Sequence, residues 1–192
     1  ISINTQRYFN ENNFKAFCLD TKSKEKVLYL TFDCGYENGY TEKILDVLKE
    51  KNVKATFFVT GDFVNRFSSL LVRIYQDGHL ICNHSYHHKA INSMSESEIK
   101  ADVERLEMAY FDKIGVKMPM IFRPPEGQFD EKSLKTLAKL GYKTIFWSIA
   151  HVDWKSSNDN SFDNVKRNLH DGAVILLHTV NEDNYQNLGK II

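Results

Sequence analysis

The chain has 192 residues, of which 42% are apolar, 26% charged and 12% aromatic. That composition excludes a disordered or fibrous chain, and the length suits one domain able to bury about 70% of its unfolded surface without disulfide staples. Lys plus Arg and Asp plus Glu both number 25, giving no net charge and so no basic nucleic-acid footprint; no apolar run reaches the ~18 residues of a membrane span.

After a polar, Asn-rich lead-in over residues 1–25, expected to be loosely structured, strands and helices alternate. Lys26–Phe32 (KVLYLTF) reads as a buried strand running into Asp33-Cys34-Gly35. Thr41 to Lys51 reads as a helix with Ile44, Leu45 and Leu48 on one face. Lys54–Thr60 is a strand, Phe63–Asp77 a helix closed by Gly78, and Leu80–Asn83 a short strand running into His84. Ser95–Ile114 is a long helix opened by a capping box. Met120–Phe122 is a brief strand, Asp130–Leu140 a helix ended by Gly141, and Tyr142–Trp147 a strand. Phe162–His170 is a helix and Ala173–Leu177 a last strand. Such alternation implies parallel strands and right-handed crossovers. Periodicity leaves both an open doubly wound sheet and a closed barrel possible, and the strand count favours closure.

Polar residues sit after these strands: Asp33 after the first, His84 and His88 after the third, Arg123 after the fourth, Asp153 past Trp147, and His178 after the last. In a parallel α/β sheet or barrel all C-terminal strand ends share one face, where active sites form. Taken singly each has an ordinary explanation. Asp33 could cap a turn, His178 could be a satisfied core histidine, and Asp153 could be a loop carboxylate beside packed Trp154. His84-x-x-x-His88 has metal-ligand spacing, but with seven histidines chance pairs are common. Five such features on one face are harder to explain away. Two neutral imidazoles can hold a metal open to water, a carboxylate can act as general base, and a separate histidine can protonate a leaving amine. Arg123 beside the base would keep it ionised. This reads as metal-assisted hydrolysis of an amide or ester.

The same residues carry a resemblance. Thr31-Phe32-Asp33-Cys34-Gly35 is similar to the TFDDG motif of the polysaccharide deacetylases, carbohydrate esterase family 4 with the NodB-homology fold. His84-Ser85-Tyr86-His87-His88 is similar to H-S/T-x-x-H, Arg123-Pro124-Pro125-Glu126-Gly127 to R-x-P-x-G, Asp153-Trp154 to the end of D-x-x-D-W, and Leu176-Leu177-His178 to L-x-H. The resemblance implies an α/β fold, a distorted (β/α) barrel of about seven parallel strands, over residues 26–192. It implies Asp33 as general base, His178 as general acid, Arg123 as partner of the base, and Asp153 as the carboxylate that tunes His178. His84 and His88 would be ligands of a divalent metal, with zinc the expected identity. Tyr36, Glu37 and Trp154 are the expected substrate contacts.

Two departures stand out: the usual second Asp is Cys34, and the first Asp of D-x-x-D-W is Ala150. With Tyr36-Glu37-Asn38-Gly39-Tyr40-Thr41 they resemble the subgroup that de-N-acetylates peptide-free muramic acid, giving muramic δ-lactam in spore cortex. A thiolate from Cys34 would make a soft His₂Cys site preferring zinc; the subgroup resemblance favours two histidines plus water. The expected partner is a peptidoglycan glycan strand and the expected state a monomer. The expected location is extracytoplasmic, reached through an N-terminal segment removed before Ile1. The resemblance also implies a final helix and strand after His178, so a truncated or disordered C-terminal end is expected. A non-catalytic, degenerate glycan-binding relative and a chitin-type deacetylase are the competing readings.

Overall fold

The computed structural model describes residues 2–23, 26–151 and 160–192. Among the described residues eight strands form one sheet: β1 (Ala16–Phe17), β2 (Leu28–Cys34), β3 (Thr56–Val59), β4 (Leu80–Asn83), β5 (Ile121–Phe122), β6 (Lys143–Ile145), β7 (Ile149–Ala150) and β8 (Ala173–His178). Their order is β1-β6-β5-β4-β3-β2-β8-β7, and every neighbouring pair is parallel. The helices among the described residues are α1 (Ile3–Glu11), α2 (Thr41–Glu50), α3 (Gly61–Arg66), α4 (Ser68–Gln76), α5 (Glu96–Ile114), α6 (Glu131–Lys139), α7 (Ser161–Asn168) and α8 (Glu182–Ile191). Among the described residues none of these is long and apolar enough to cross a membrane.

Strand alternation divides the side chains. Leu30, Phe32 and Cys34 of β2, Phe57 and Val59 of β3, and Ile175 and Leu177 of β8 pack outward in one apolar cluster with Ile44, Leu45 and Leu48 of α2 and Leu71 and Ile74 of α4. The intervening residues, Thr31, Asp33, Phe58, Val174 and His178, face the inside of the curled sheet and line its two mouths. The expected strand Tyr142–Trp147 is shorter, β6 over Lys143–Ile145, and a second short strand that the periodicity did not show, β7, follows it three residues on. β6 pairs with β5 and β1, whereas β7 pairs with β8. One segment thus starts at one end of the sheet and finishes at the other, curling it into a distorted barrel. Leu19 adds an antiparallel bridge to Ala173, and the Asp20 N–H donates to the Gly172 carbonyl at 2.8 Å.

The lead-in is a correction. Residues 3–17 are structured: α1 runs into β1, which joins the sheet beside β6. The asparagines Asn4, Asn10, Asn12 and Asn13 are exposed, while Phe9, Phe14, Ala16 and Cys18 pack with Leu134 and Phe146. Buried Gln6 donates to the Ala16 carbonyl and accepts the Cys18 N–H, so one amide ties helix to strand. Four apolar residues outweigh the polar composition because they share one side. The expected helix Phe63–Asp77 is also broken, at Phe67 (φ −120°, ψ 42°), whose ring packs back on Phe63.

Candidate active site

The C-terminal mouth of the barrel opens into a cavity of about 460 Å³ lined by Asp33, Tyr36, Thr60, His84, Tyr86, His88 and His178 among others. Asp33 and His178 sit opposite one another on neighbouring strands β2 and β8.

Arg123 lies behind this cavity and is wholly buried. Its Nη1 donates to Asp33 Oδ1 at 2.8 Å, its Nε to the Ile145 carbonyl at 3.2 Å, and its Nη2 to the Phe146 carbonyl at 3.1 Å. The guanidinium also lies 4.1 Å from the centroid of the Phe58 ring. The cation is thus held by one carboxylate, two carbonyls and one ring, as burial of a charge requires. The far side of Phe58 lines a second cavity of about 410 Å³ at the other mouth, with Thr31, Thr56 and Val174 but no histidine. Of the two cavities, the C-terminal one is the one lined by histidines. Burial alone would raise the Asp33 carboxyl, but Arg123, then His84 and His178, together hold it below the usual carboxylate value.

His84 donates from Nδ1 to the Arg123 carbonyl at 2.9 Å. That bond selects the tautomer with its lone pair on Nε2, 3.5 Å from Asp33 Oδ2. Burial pushes the His84 imidazole down to about 4, against the pull of Asp33, so it is neutral at neutral pH. The His88 ring meets it edge-to-face with centroids 5.0 Å apart. Two residues of this loop, Ser85 (φ 70°) and His88 (φ 54°), take left-handed backbone conformations that cost energy outside glycine. Asn83 Oδ1 accepts the Ser85 N–H at 2.9 Å, and buried Asp102 of α5 accepts the N–H groups of Tyr86 and His87 at 2.8 and 3.2 Å. Gly61, at the start of α3, donates its N–H to the Tyr86 carbonyl; a Cβ there would lie 2.7 Å from that oxygen. Asp102 and Asn83 went unnoticed in the sequence. The available signal was a carboxylate beside Val103 on the apolar stripe Ile99–Val103–Leu106.

Cys34 lies apart from the cavity, although Asp33 and Gly35 on either side line it. It is buried on the core face, where the Thr179 hydroxyl donates to its sulfur at 3.6 Å. Burial pushes the thiol far up, and its sulfur faces the core rather than the cavity. Tyr36 reaches the cavity. Glu37 does not line it: its carboxylate accepts the Gly39 N–H and the Thr41 hydroxyl, shaping the turn into α2. Asp153 and Trp154 lie outside the described residues.

Among the described residues no three His, Cys, Asp or Glu side chains form a complete metal-ligand set. The donor chemistry of His84 and His88 fits a divalent cation held by two imidazoles and water, since the Nδ1 bond of His84 orients its free Nε2 as ligating histidines require.

The polysaccharide deacetylase family model matches residues 20–145. The chain is 43% identical over 183 residues to the peptidoglycan-N-acetylmuramic acid deacetylase PdaA of Bacillus subtilis, covering 93% of this chain and 69% of that protein. A solved structure of Bacillus subtilis PdaA, a family 4 carbohydrate esterase, superposes with a TM-score of 0.91 at 40% identity, covering 99% of this chain and 82% of that one. A peptidoglycan-N-acetylglucosamine deacetylase of Bacillus cereus is 38% identical over 151 residues, 78% of this chain and 54% of that protein. Matched over most of its length and folded the same way, the chain belongs to the polysaccharide deacetylase family.

Proposed function

We propose that this deacetylase hydrolyses the acetamide of N-acetylmuramic acid in peptide-free peptidoglycan strands, outside the cytoplasm, freeing an amine that can close on the lactyl carboxyl as the δ-lactam of spore cortex. The observation that carries the reaction class is the Asp33–Arg123 pair, set between His84 and His178 at the open mouth of the barrel. The substrate rests on the 43% identity to the muramic acid deacetylase.

Asp33 takes the proton of the attacking water, and Arg123 keeps the carboxylate ionised between turnovers. His178, across the strand pair from Asp33, donates a proton to the departing nitrogen, because an unprotonated amine is a very poor leaving group. Asp153 tunes His178, and Tyr36 and Trp154 contact the sugar. His84 and His88 would hold the divalent cation, zinc by expectation, which when bound supplies Lewis-acid polarisation of the acetyl carbonyl. Glu37 has a structural task in the turn it braces.

The test is acetate release from peptide-free muramyl glycan, with and without added divalent metal, beside chitin oligomers. Faster release from the muramyl glycan is expected. Equal or better activity on chitin would overturn the substrate, and no release from either would favour the non-catalytic reading.

A further inference from the structure

His87 is the one histidine of the His84–His88 segment whose task the reaction leaves unexplained. It lines the catalytic cavity, yet its Nδ1 donates to Asp102 Oδ1 at 2.8 Å, turning the ring toward α5. With Nδ1–H committed to a carboxylate, Nε2 carries the lone pair of the neutral ring. Arg105, one turn along α5 from Asp102, places Nη1 3.4 Å from that Nε2. The same guanidinium stacks on Tyr86, 4.2 Å from its ring centroid. Two cavity-lining side chains, His87 and Tyr86, therefore hold one exposed cation beside the cavity, on the side away from its lining.

The cation is unbalanced. Six of the 25 Lys and Arg side chains, Arg123 beside Asp33 among them, have a carboxylate within 4.0 Å among the described residues. Among the described residues Arg105 forms no such pair, and nearby Asp102 is buried and occupied by the N–H groups of the loop and by His87. A stacked guanidinium facing solvent with donors to spare suits a planar carboxylate, which it can bind through two parallel bonds.

We propose that Arg105, set by His87 and Tyr86, is a specificity-determining residue that binds the lactyl carboxylate of an N-acetylmuramate substrate. The proposal rests on the muramic acid reading above. Its chemical reason is that the lactyl ether sits on C3 of the sugar, next to the C2 acetamide that is cleaved. A pocket that presents the acetamide to Asp33 and His84 must therefore meet that carboxylate close by, and N-acetylglucosamine offers none.

The experiment compares two substrates, bare muramyl glycan and the same glycan with its lactyl carboxyl capped as the neutral methyl amide. The parent is expected to favour the free acid through KM by roughly tenfold, the scale of one charge-assisted bidentate contact. Arg105→Gln raises KM for the free acid to that of the amide with little change in kcat, and Arg105→Lys restores part of the preference. Lys100→Gln, which removes a charge from the exposed side of the same helix, moves neither value. A parent that cleaves both glycans equally well overturns this proposal and leaves the muramic acid reading standing. So does an Arg105→Gln enzyme that loses the same factor on both, since that marks a structural role. A parent that cleaves neither overturns the muramic acid reading and this proposal with it.

Discussion

Arg123 is wholly buried, so its charge is tolerable only because Asp33 and two backbone carbonyls accept from it. Removing either partner therefore does more than delete a contact. Asp33→Asn keeps an acceptor for Nη1 but cannot take a proton from water. Acetate release should fall by roughly 10²–10⁴ while the far-UV circular dichroism stays that of the parent; a variant retaining a tenth of the activity would remove Asp33 from the mechanism. Arg123→Met leaves a buried carboxylate uncompensated and should lower stability by about 3–5 kcal/mol in urea titration. Its sign with pH is fixed. The Asp33 carboxyl is held below its ordinary value in the folded state, so its ionisation stabilises the fold above about pH 4 and that gain is lost as pH falls through the lowered value. In Arg123→Met the carboxyl rises, so the acid limb of the pH–rate profile should move to higher pH.

At the scale of elements, one strand and one loop decide which side chains reach the cavity. Alternation along β2 sends Asp33 inward and Cys34 outward, into the cluster with Leu30 and Phe32. Cys34→Ala should therefore leave zinc affinity within about twofold by calorimetry and cost roughly 1 kcal/mol, the scale of a small core truncation. A hundredfold loss of affinity would make the thiol a ligand. The histidine loop is different in kind. Its left-handed Ser85 and His88 persist because Asn83, Gly61 and Asp102 bind its backbone from three elements. Asp102→Ala would orphan two N–H groups and free His87. It should lower stability by about 2–4 kcal/mol and weaken cation binding severalfold, measured by thermal unfolding and calorimetry.

At the scale of the molecule, the barrel joins residues 145 positions apart: Asp33 and His178 meet because β2 and β8 are parallel neighbours. Closure depends on the segment from β6 to β7, and that segment is braced from outside by the lead-in. The Phe9 ring stacks on Phe146 at 5.3 Å, and the Phe146 carbonyl holds Arg123 Nη2. Phe9→Ala should accordingly cost about 3–5 kcal/mol in urea. Because the Phe146 carbonyl is shared with the active site, kcat should also fall, and an unchanged kcat would show that the brace stops at the core.

The alternation of strands and helices, the residues at the strand ends and the capping of α5 were legible in the sequence, because each depends on local periodicity or on a few neighbouring positions. The motifs from Thr31 to His178 likewise identified the family, since their order and spacing survive without coordinates. Only the tertiary structure decided the rest. The Asn-rich start proved to be a helix and a strand because its buried apolar residues find partners in Leu134 and Phe146, more than a hundred positions away. Closure followed from the chain breaking after Ile145 into a second strand with a different partner, which periodicity does not register. Asp102 and Arg105 look in sequence like ordinary charges on a long helix; they acquire their meaning from the loop that α5 packs against, because what a charge does depends on the groups that surround it in space.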